Sequence, residues 1–434
     1  MSTNRAILFG VELSSGKKRK NNKSGSEEIG IEKNIQPRED MTLSLEELSR
    51  LAYTAGYQTV GTLTQKRVSP HPGNYLGKGK VQELKLVSHE LEADIVICDD
   101  ELSPAQVRNL EYELELTVKD RTGLIIEIFS KRASTREAKL QVELARLEYL
   151  LPRLRGKGEE LSRLAGGIGT RGSGETKLEI ERRHIERQVQ RTKKKLKEVE
   201  KIRQEKRKKR TKENLPLVSL VGYTNSGKST LLKKITDTTV IARDQLFSTL
   251  DPKLSQLELP NGIKCLLSDT VGFINKLPHD LVAAFKATLE EVKEADILLH
   301  IIDITSPEMQ KEIEAVEDVL RSLEAHDKPV IKVYNKVDML SNPDTTLYNS
   351  GDDSFLVSAI RGDGLDELLK GISKQLQDSW VEEQFFIPYG QENIAAMIYD
   401  KGEVIKEEYT ENGFFVFVRL PEEEFNRFSK LLQD

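Results

Sequence analysis

The sequence predicts a multidomain α/β protein built largely on parallel sheet. Three observations carry that reading. Helix-like and strand-like segments alternate from Thr42 to Phe129, the order expected of parallel βα units. Two long helical segments follow, each with an apolar seam spaced four and three residues apart. Another apolar strand, LPLVSLVG, then runs into a glycine turn and a helical pattern, with further apolar strands beyond it.

The chain has 434 residues, enough for two to four domains at roughly 100–200 residues each. The expected division is an N-terminal α/β domain over 1–130, a helical hairpin over 131–213, a second α/β domain over 214–380 and a small α+β module over 381–434. Ala6–Leu13 reads as a strand, and the Lys/Ser/Asn/Glu-rich Ser14–Asp40 as a loop. Its cluster Lys17-Lys18-Arg19-Lys20 is a solvated run or, on the sharper reading, a targeting or RNA patch. SLEELSRLAYTAG is a helix stopped by Gly56, VGTLTQKR a strand and KVQELKLVSHEL a helix. ADIVICDD is a strand, SPAQVRNLEYEL a helix and LTVKDR a strand.

The first hairpin helix starts at Ser134, with Glu137 three residues on as in a capping box. Its seam is Leu140, Leu144, Leu147, Leu151 and Leu154. The second helix starts near Lys177, with the seam Ile185, Val189, Thr192, Leu196 and Val199. Two such seams joined by a loop predict an antiparallel pair. The loop, Gly166–Thr176, holds five glycines within nine residues around Arg171.

Net charge is -5, which argues against a generic nucleic-acid binder, but the balance is local. Arg182–Lys212 carries 16 Lys/Arg against 4 Glu. That is either a solvated helix face or a surface for RNA phosphates. The two cysteines, Cys98 and Cys265, each lie in an apolar strand pattern, with no disulfide or metal spacing, so a reducing cytoplasm is expected. No apolar run has the length of a membrane span, and the N-terminal residues do not read as a signal peptide.

The chemistry lies after LPLVSLVG. Gly222-Tyr223-Thr224-Asn225-Ser226-Gly227-Lys228-Ser229 fits G-x-x-x-x-G-K-[ST] between a strand and a helix. Its backbone N–H groups and helix N-terminus suit phosphate oxygens. Lys228 is expected on the β- and γ-phosphates, and the Ser229 hydroxyl on Mg²⁺. CLLSD then opens Asp269-Thr270-Val271-Gly272, where the Asp acts through Mg²⁺ and the Gly272 amide reads the γ-phosphate. PVIKVY ends in Asn335-Lys336-Val337-Asp338. The Asp338 carboxylate can accept from both guanine N1–H and its 2-amino group, a donor pair adenine lacks. Ser358-Ala359-Ile360 would meet guanine O6 through its backbone. Together these motifs predict a P-loop G domain that binds and hydrolyses GTP.

Phe247-Ser248-Thr249-Leu250-Asp251 supplies Thr249 as a second Mg²⁺ and γ-phosphate ligand; the plainer reading is a loop threonine. Phe273 stands where Ras-like enzymes carry a water-orienting glutamine, so intrinsic hydrolysis should be slow and need outside help. Asn225 resembles the residue that ligates K⁺ in potassium-stimulated GTPases; otherwise it supports the turn.

With these motifs in hand, the whole chain resembles the HflX family of translation-factor-class GTPases. GYTNSGKST, LFSTLDP, DTVGF and NKVD are similar to the family's G motifs. Outside them, YLGKGKV, DDELSPAQVRNLE, DRTGLIIEIF, TREAKLQVELARLEYLLPRL, GGIGTRGSGETKLE and IPYGQ…GEVIKEEYTENG resemble family segments, together covering most of 42–420. The resemblance implies GTP-dependent association with the large ribosomal subunit and its rRNA, stimulation of hydrolysis by that subunit, and splitting or rescue of stalled or idle ribosomes under stress. It implies that Gly166–Thr176 lies near the tip that reaches the peptidyl-transferase region. Some members also bind or hydrolyse ATP, attributed to the N-terminal domain, where this chain has no P-loop motif. A monomer is the simplest expectation. Two other readings stand beside this one: a GTP-regulated RNA-binding or remodelling protein not dedicated to ribosomes, and a switch whose protein partner docks on the C-terminal module.

Overall fold

In the computed structural model, the described residues are 4–14, 41–154, 173–211, 215–236, 247, 253–274, 276, 291–340, 353–378, 381–420 and 422–432. The Ser14–Asp40 loop, apart from Ser14 itself, and most of Gly166–Thr176 fall outside them. The chain divides into two compact units. One comprises 1–209 with 243–251 and 274–288; the other comprises 210–242, 252–273 and 289–434.

The first unit opens with β1 (Asn4–Leu13), α1 (Met41–Ala55), β2 (Tyr57–Arg67), α2 (Lys78–Glu90), β3 (Ile95–Cys98), α3 (Pro104–Leu114), β4 (Thr117–Asp120) and α4 (Arg121–Arg132). Its four strands are all parallel in the order β2-β1-β3-β4. Parallel strands covered on both faces read as continuous apolar runs, and β3 is buried at all four positions. Cys98 ends that strand as a free, buried thiol. Ser103 caps α3 in a capping box with Gln106, followed by a first-turn proline.

The expected strand LTVKDR is shorter than its pattern. It stops at Asp120, whose side chain accepts from Gly123 N–H and so starts α4. The Asp120 carboxylate also accepts from Leu102 N–H (3.1 Å), the Tyr149 hydroxyl (2.7 Å) and Arg153 (2.6 Å). With each oxygen accepting twice, a fully buried carboxylate avoids the cost of an unpaired charge.

Two helices, α5 (Arg136–Leu154) and α6 (Ser173–Thr211), complete the first unit's main elements. The cap of α5 is Thr135 rather than Ser134: the Thr135 hydroxyl accepts from Ala138 N–H at 3.1 Å. Glu137 instead reaches Arg203 on α6 at 3.0 Å, and Glu148 pairs with Lys193 at 2.8 Å. The two pairings run in opposite chain directions, so the helices are antiparallel. Leu144 and Leu147 pack on Val189, flanked by Ile185 and Leu196. The α6 helix begins at Ser173, four residues before the expected start.

The second unit contains β5 (Leu217–Gly222), α7 (Lys228–Thr236), β6 (Lys253–Glu258), β7 (Lys264–Asp269), β8 (Ile297–Asp303), α8 (Met309–Ser322), β9 (Val330–Asn335), β10 (Ser354–Val357) and α9 (Leu365–Asp378). The sheet order is β10-β9-β8-β5-β7-β6, parallel except for the edge strand β6. The chain ends with β11 (Val381–Pro388), α10 (Glu392–Lys401), β12 (Glu403–Thr410), β13 (Gly413–Leu420) and α11 (Glu422–Leu431). These three strands form an antiparallel sheet, β11-β13-β12, with α10 and α11 on one face. Among the described residues, no helix is long and apolar enough to cross a membrane.

Candidate nucleotide site

The six residues of β5 are all buried, so the strand is fixed up to Gly222, and the glycine turn begins where it ends. Gly222 has φ +151°, and a Cβ there would lie 2.3 Å from the Ile301 carbonyl oxygen. Gly227 has φ +99°, and a Cβ would lie 2.1 Å from Asn335 Nδ2. Both glycines are therefore required by positive φ and by close approach. Between them Asn225 is exposed at φ 62°.

Lys228 opens α7 and folds back over the turn, donating to the carbonyls of Gly222 (3.0 Å) and Tyr223 (2.6 Å). Burial pushes its pKa down to about 8, with Lys336 acting in the same direction and Asp269 and Glu312 opposing. A phosphate would restore the charge. Nucleotide binding should therefore take up a proton above pH 8, and affinity should fall by up to about tenfold per pH unit between the depressed pKa and that of the bound lysine. Titrations of GDP from pH 7 to 9, with calorimetry in buffers of different ionisation heat, check this. A pH-independent affinity with no proton uptake would show that the lysine stays charged without nucleotide.

The Ser229 hydroxyl donates to Asp269 at 2.8 Å. This hydroxyl and carboxylate, both buried, are hard oxygen donors of the kind Mg²⁺ takes. The Thr270 hydroxyl donates to the Leu220 carbonyl at 2.6 Å. Phe273 N–H donates to the Gly222 carbonyl (3.1 Å), and Thr224 N–H donates to the Phe273 carbonyl (2.7 Å). The turn and the Asp269–Gly272 segment are thus laced together, and Gly272 passes so close that a Cβ would lie 3.0 Å from Lys228 Nζ. The Phe273 ring is buried at 2% exposure, so it offers nothing to a water molecule.

On the other side of the turn, Asn335 Nδ2 donates to the Ser226 carbonyl (2.8 Å), while its Oδ1 accepts from Ala359 N–H (3.0 Å). One side chain therefore ties the phosphate turn to the segment after β10. That Ala359 amide is engaged by Asn335, so a contact with guanine O6 requires it to be shared or released. The Ser358 hydroxyl donates to Asp338 at 2.7 Å and accepts from Arg361 N–H at 3.0 Å. Asp338 is half-buried in a short 3₁₀ turn with Val337, and Ile360 is exposed. Lys336, at φ 71°, reaches Asp303 at 2.5 Å. Asp303 was missed in the sequence reading. Its signal is an acidic residue closing the apolar strand ILLHIID, the same pattern as CLLSD.

Phe247 belongs to the first unit, where it packs edge-on against Phe129 with ring centroids 4.6 Å apart. Ser248, Thr249, Leu250 and Asp251 lie outside the described residues.

A glycine-rich turn after a buried parallel strand, a lysine and serine at the next helix, and the Asp269–Gly272 and Asn335–Asp338 segments at neighbouring strand ends define a P-loop GTPase domain. Comparisons with known proteins add the family. Four family models match in order: GTP-binding GTPase N-terminal over 42–130, GTP-binding GTPase Middle Region over 132–210, 50S ribosome-binding GTPase over 217–336 and HflX C-terminal domain over 348–432. GTPase HflX of Caldanaerobacter subterraneus subsp. tengcongensis is 49% identical over 381 residues, 88% of this chain and 87% of that one. GTPase HflX of Escherichia coli is 41% identical over 390 residues, 89% of this chain and 92% of that one. The chain belongs to the HflX family of GTPases. Among solved structures, a GTP-binding protein from the archaeon Sulfolobus solfataricus in complex with GDP is similar at TM-score 0.45 and 24% identity, covering 86% of this chain and 99% of that one.

Proposed function

We propose that this GTPase is a GTP-driven switch that binds the large ribosomal subunit in its GTP state and acts in splitting or rescuing stalled or idle ribosomes. The observation that carries the guanine-specific part is the Asn335 bridge between Ser226 and Ala359, which couples the phosphate turn to the Asp338–Ser358 pair. Gly222–Ser229 would cradle the phosphates. Asp338 would accept from guanine N1–H and the 2-amino group, and Lys336 would flank the base.

Ser229, with Thr249 and Asp269, would hold Mg²⁺, which neutralises phosphate charge when bound. The Gly272 amide would donate to the γ-phosphate, and release of phosphate would free it. Phe273 supplies no group to orient the attacking water. A surface of the partner, with K⁺ held beside Asn225, would complete the site.

The ribosomal part is supported by the description of the model matching 217–336, and by charge on α6. Arg183, Arg187, Arg191, Lys194, Lys195 and Lys201 are all exposed there, a surface suited to rRNA phosphates read by shape and charge. A cytoplasmic location and the four-domain division of the sequence reading belong to the same proposal. The experiment that tests it is GTP turnover by the full chain, alone and with purified large ribosomal subunits.

A further inference from the structure

Lys336 is the residue whose stem would flank the base, and a free lysine makes a poor platform. Its side chain is among the richest in rotamers, and that freedom is lost before a ring can rest on it. A like charge works against it as well. Lys228 lies near enough for the Lys336 ammonium to lower its pKa, so the two groups repel. The Lys336 backbone is already committed, at φ 71° ahead of the 3₁₀ turn Val337–Met339, with Met339 N–H donating to its carbonyl at 3.0 Å. The side chain needs an anchor of its own.

Asp303 supplies that anchor. It closes β8 opposite Asn335, the last residue of β9, and Ile304 N–H donates to the Asn335 carbonyl at 3.1 Å. The backbone on both sides of the ion pair is thereby fixed. Asp303 Oδ1 accepts from Thr305 N–H (3.0 Å) and from the Thr305 hydroxyl (2.6 Å). That grip sets the rotation of the carboxylate and aims Oδ2 at the Lys336 ammonium, 2.5 Å away. The two side chains are 16% and 20% exposed, so the pair is better shielded than a surface ion pair. Enough water still reaches the ammonium for it to swing outward if the acid is removed.

We infer that Asp303 is a positioning residue for the nucleotide base: by fixing the Lys336 ammonium, it keeps the lysine's aliphatic stem laid out as a platform for one face of the purine. The lysine is ordered on folding rather than on binding, which is how preorganisation raises affinity. A stem covers a ring without reading its edge groups. Asp303 therefore strengthens binding of the nucleoside part and leaves the choice between guanine and hypoxanthine to Asp338. This deepens the guanine-site reading above and rests on it.

The test titrates the full chain with GDP, IDP and inorganic pyrophosphate. Asp303→Asn keeps an acceptor for Thr305 but cannot neutralise the ammonium. It should weaken GDP and IDP by the same factor, roughly three- to tenfold, and leave pyrophosphate unchanged. With slow chemistry KM follows the dissociation constant, so KM for GTP should rise by that factor while kcat stays. Thr305→Val spares the ion pair but frees the carboxylate to turn. It should show the same pattern at about twofold, and it carries the test if a thermal melt finds Asp303→Asn unfolded. Lys336→Met keeps the stem and needs no acid, so adding Asp303→Asn to it should change nothing further. If Asp303→Asn and Thr305→Val bind GDP as the unmodified chain does, the inference is wrong. It is equally wrong if pyrophosphate weakens in step with GDP, or if Asp303→Asn is as damaging beside Lys336→Met; the acid then only braces the strand end. If the unmodified chain binds no GDP, the underlying reading fails instead.

Discussion

Asp338→Asn is expected to weaken GTP and GDP binding by about a hundredfold or more and to confer affinity for xanthine nucleotides. The carboxylate accepts two hydrogen bonds from guanine in the proposed pose. The substitution removes one charge-assisted bond, worth about 1.5–3 kcal/mol, and leaves the guanine 2-amino group facing a donor, which costs about 1–3 kcal/mol more. Asparagine keeps one acceptor and turns a donor toward the guanine 2-amino group. Xanthine carries a carbonyl at that position and accepts instead. The local structure should survive, because the asparagine Oδ1 can still accept from the Ser358 hydroxyl, as Asp338 does at 2.7 Å. Equilibrium titration with fluorescent GDP and XDP reads both effects. Unchanged guanine affinity would mean that Asp338 does not meet the base.

Gly227→Ala is expected to abolish measurable nucleotide binding at micromolar concentrations and to lower thermal stability. Two costs coincide. An alanine at φ +99° is strained by about 1–3 kcal/mol. Its Cβ would also stand 2.1 Å from Asn335 Nδ2. Asn335 would have to leave the Ser226 carbonyl, and the bridge to Ala359 would go with it. Gly262→Ala separates the two costs. It has φ +83° but nothing within 4 Å of the added carbon. That variant should lose only the strain part of the stability, about 1–3 kcal/mol, and keep its nucleotide. If Gly262→Ala were as damaging to binding, backbone strain alone would explain both, and the Asn335 bridge would lose its role.

Much of this was legible in the sequence because parallel strands covered on both faces leave continuous apolar runs. LPLVSLVG, CLLSD, ILLHIID and VIKVYN announce four neighbouring strands, and the functional segments sit where three of the runs end. Fixed spacing did the rest within Gly222–Ser229. What escaped was non-local or context-driven. Arg121 read as the last residue of the strand LTVKDR. In fact Arg121 begins a helix whose Leu124, Ile125, Ile126 and Ile128 are buried, so β-branched content reflects burial there rather than extension. The α5 cap moved from Ser134 to Thr135: only Ser134 fits the capping-box spacing, but the helix starts at Arg136, so the Thr135 hydroxyl is the one that accepts from Ala138 N–H. The bridges from Lys276 to Asp99 and Asp100 have no periodicity to betray them. Asp303, the partner of Lys336, was visible only as an acid at a strand end, a signal that gains meaning once β8 and β9 are neighbours.

GTP turnover by the full chain, measured alone and with purified large ribosomal subunits in K⁺ and in Na⁺ buffer, tests the central claim most directly. The account predicts slow turnover alone, since Phe273 offers no water-orienting group. It predicts strong stimulation by the subunits, greater in K⁺ than in Na⁺ if Asn225 holds the cation. Fast turnover alone, indifferent to subunits, would contradict both the Phe273 argument and the ribosomal reading.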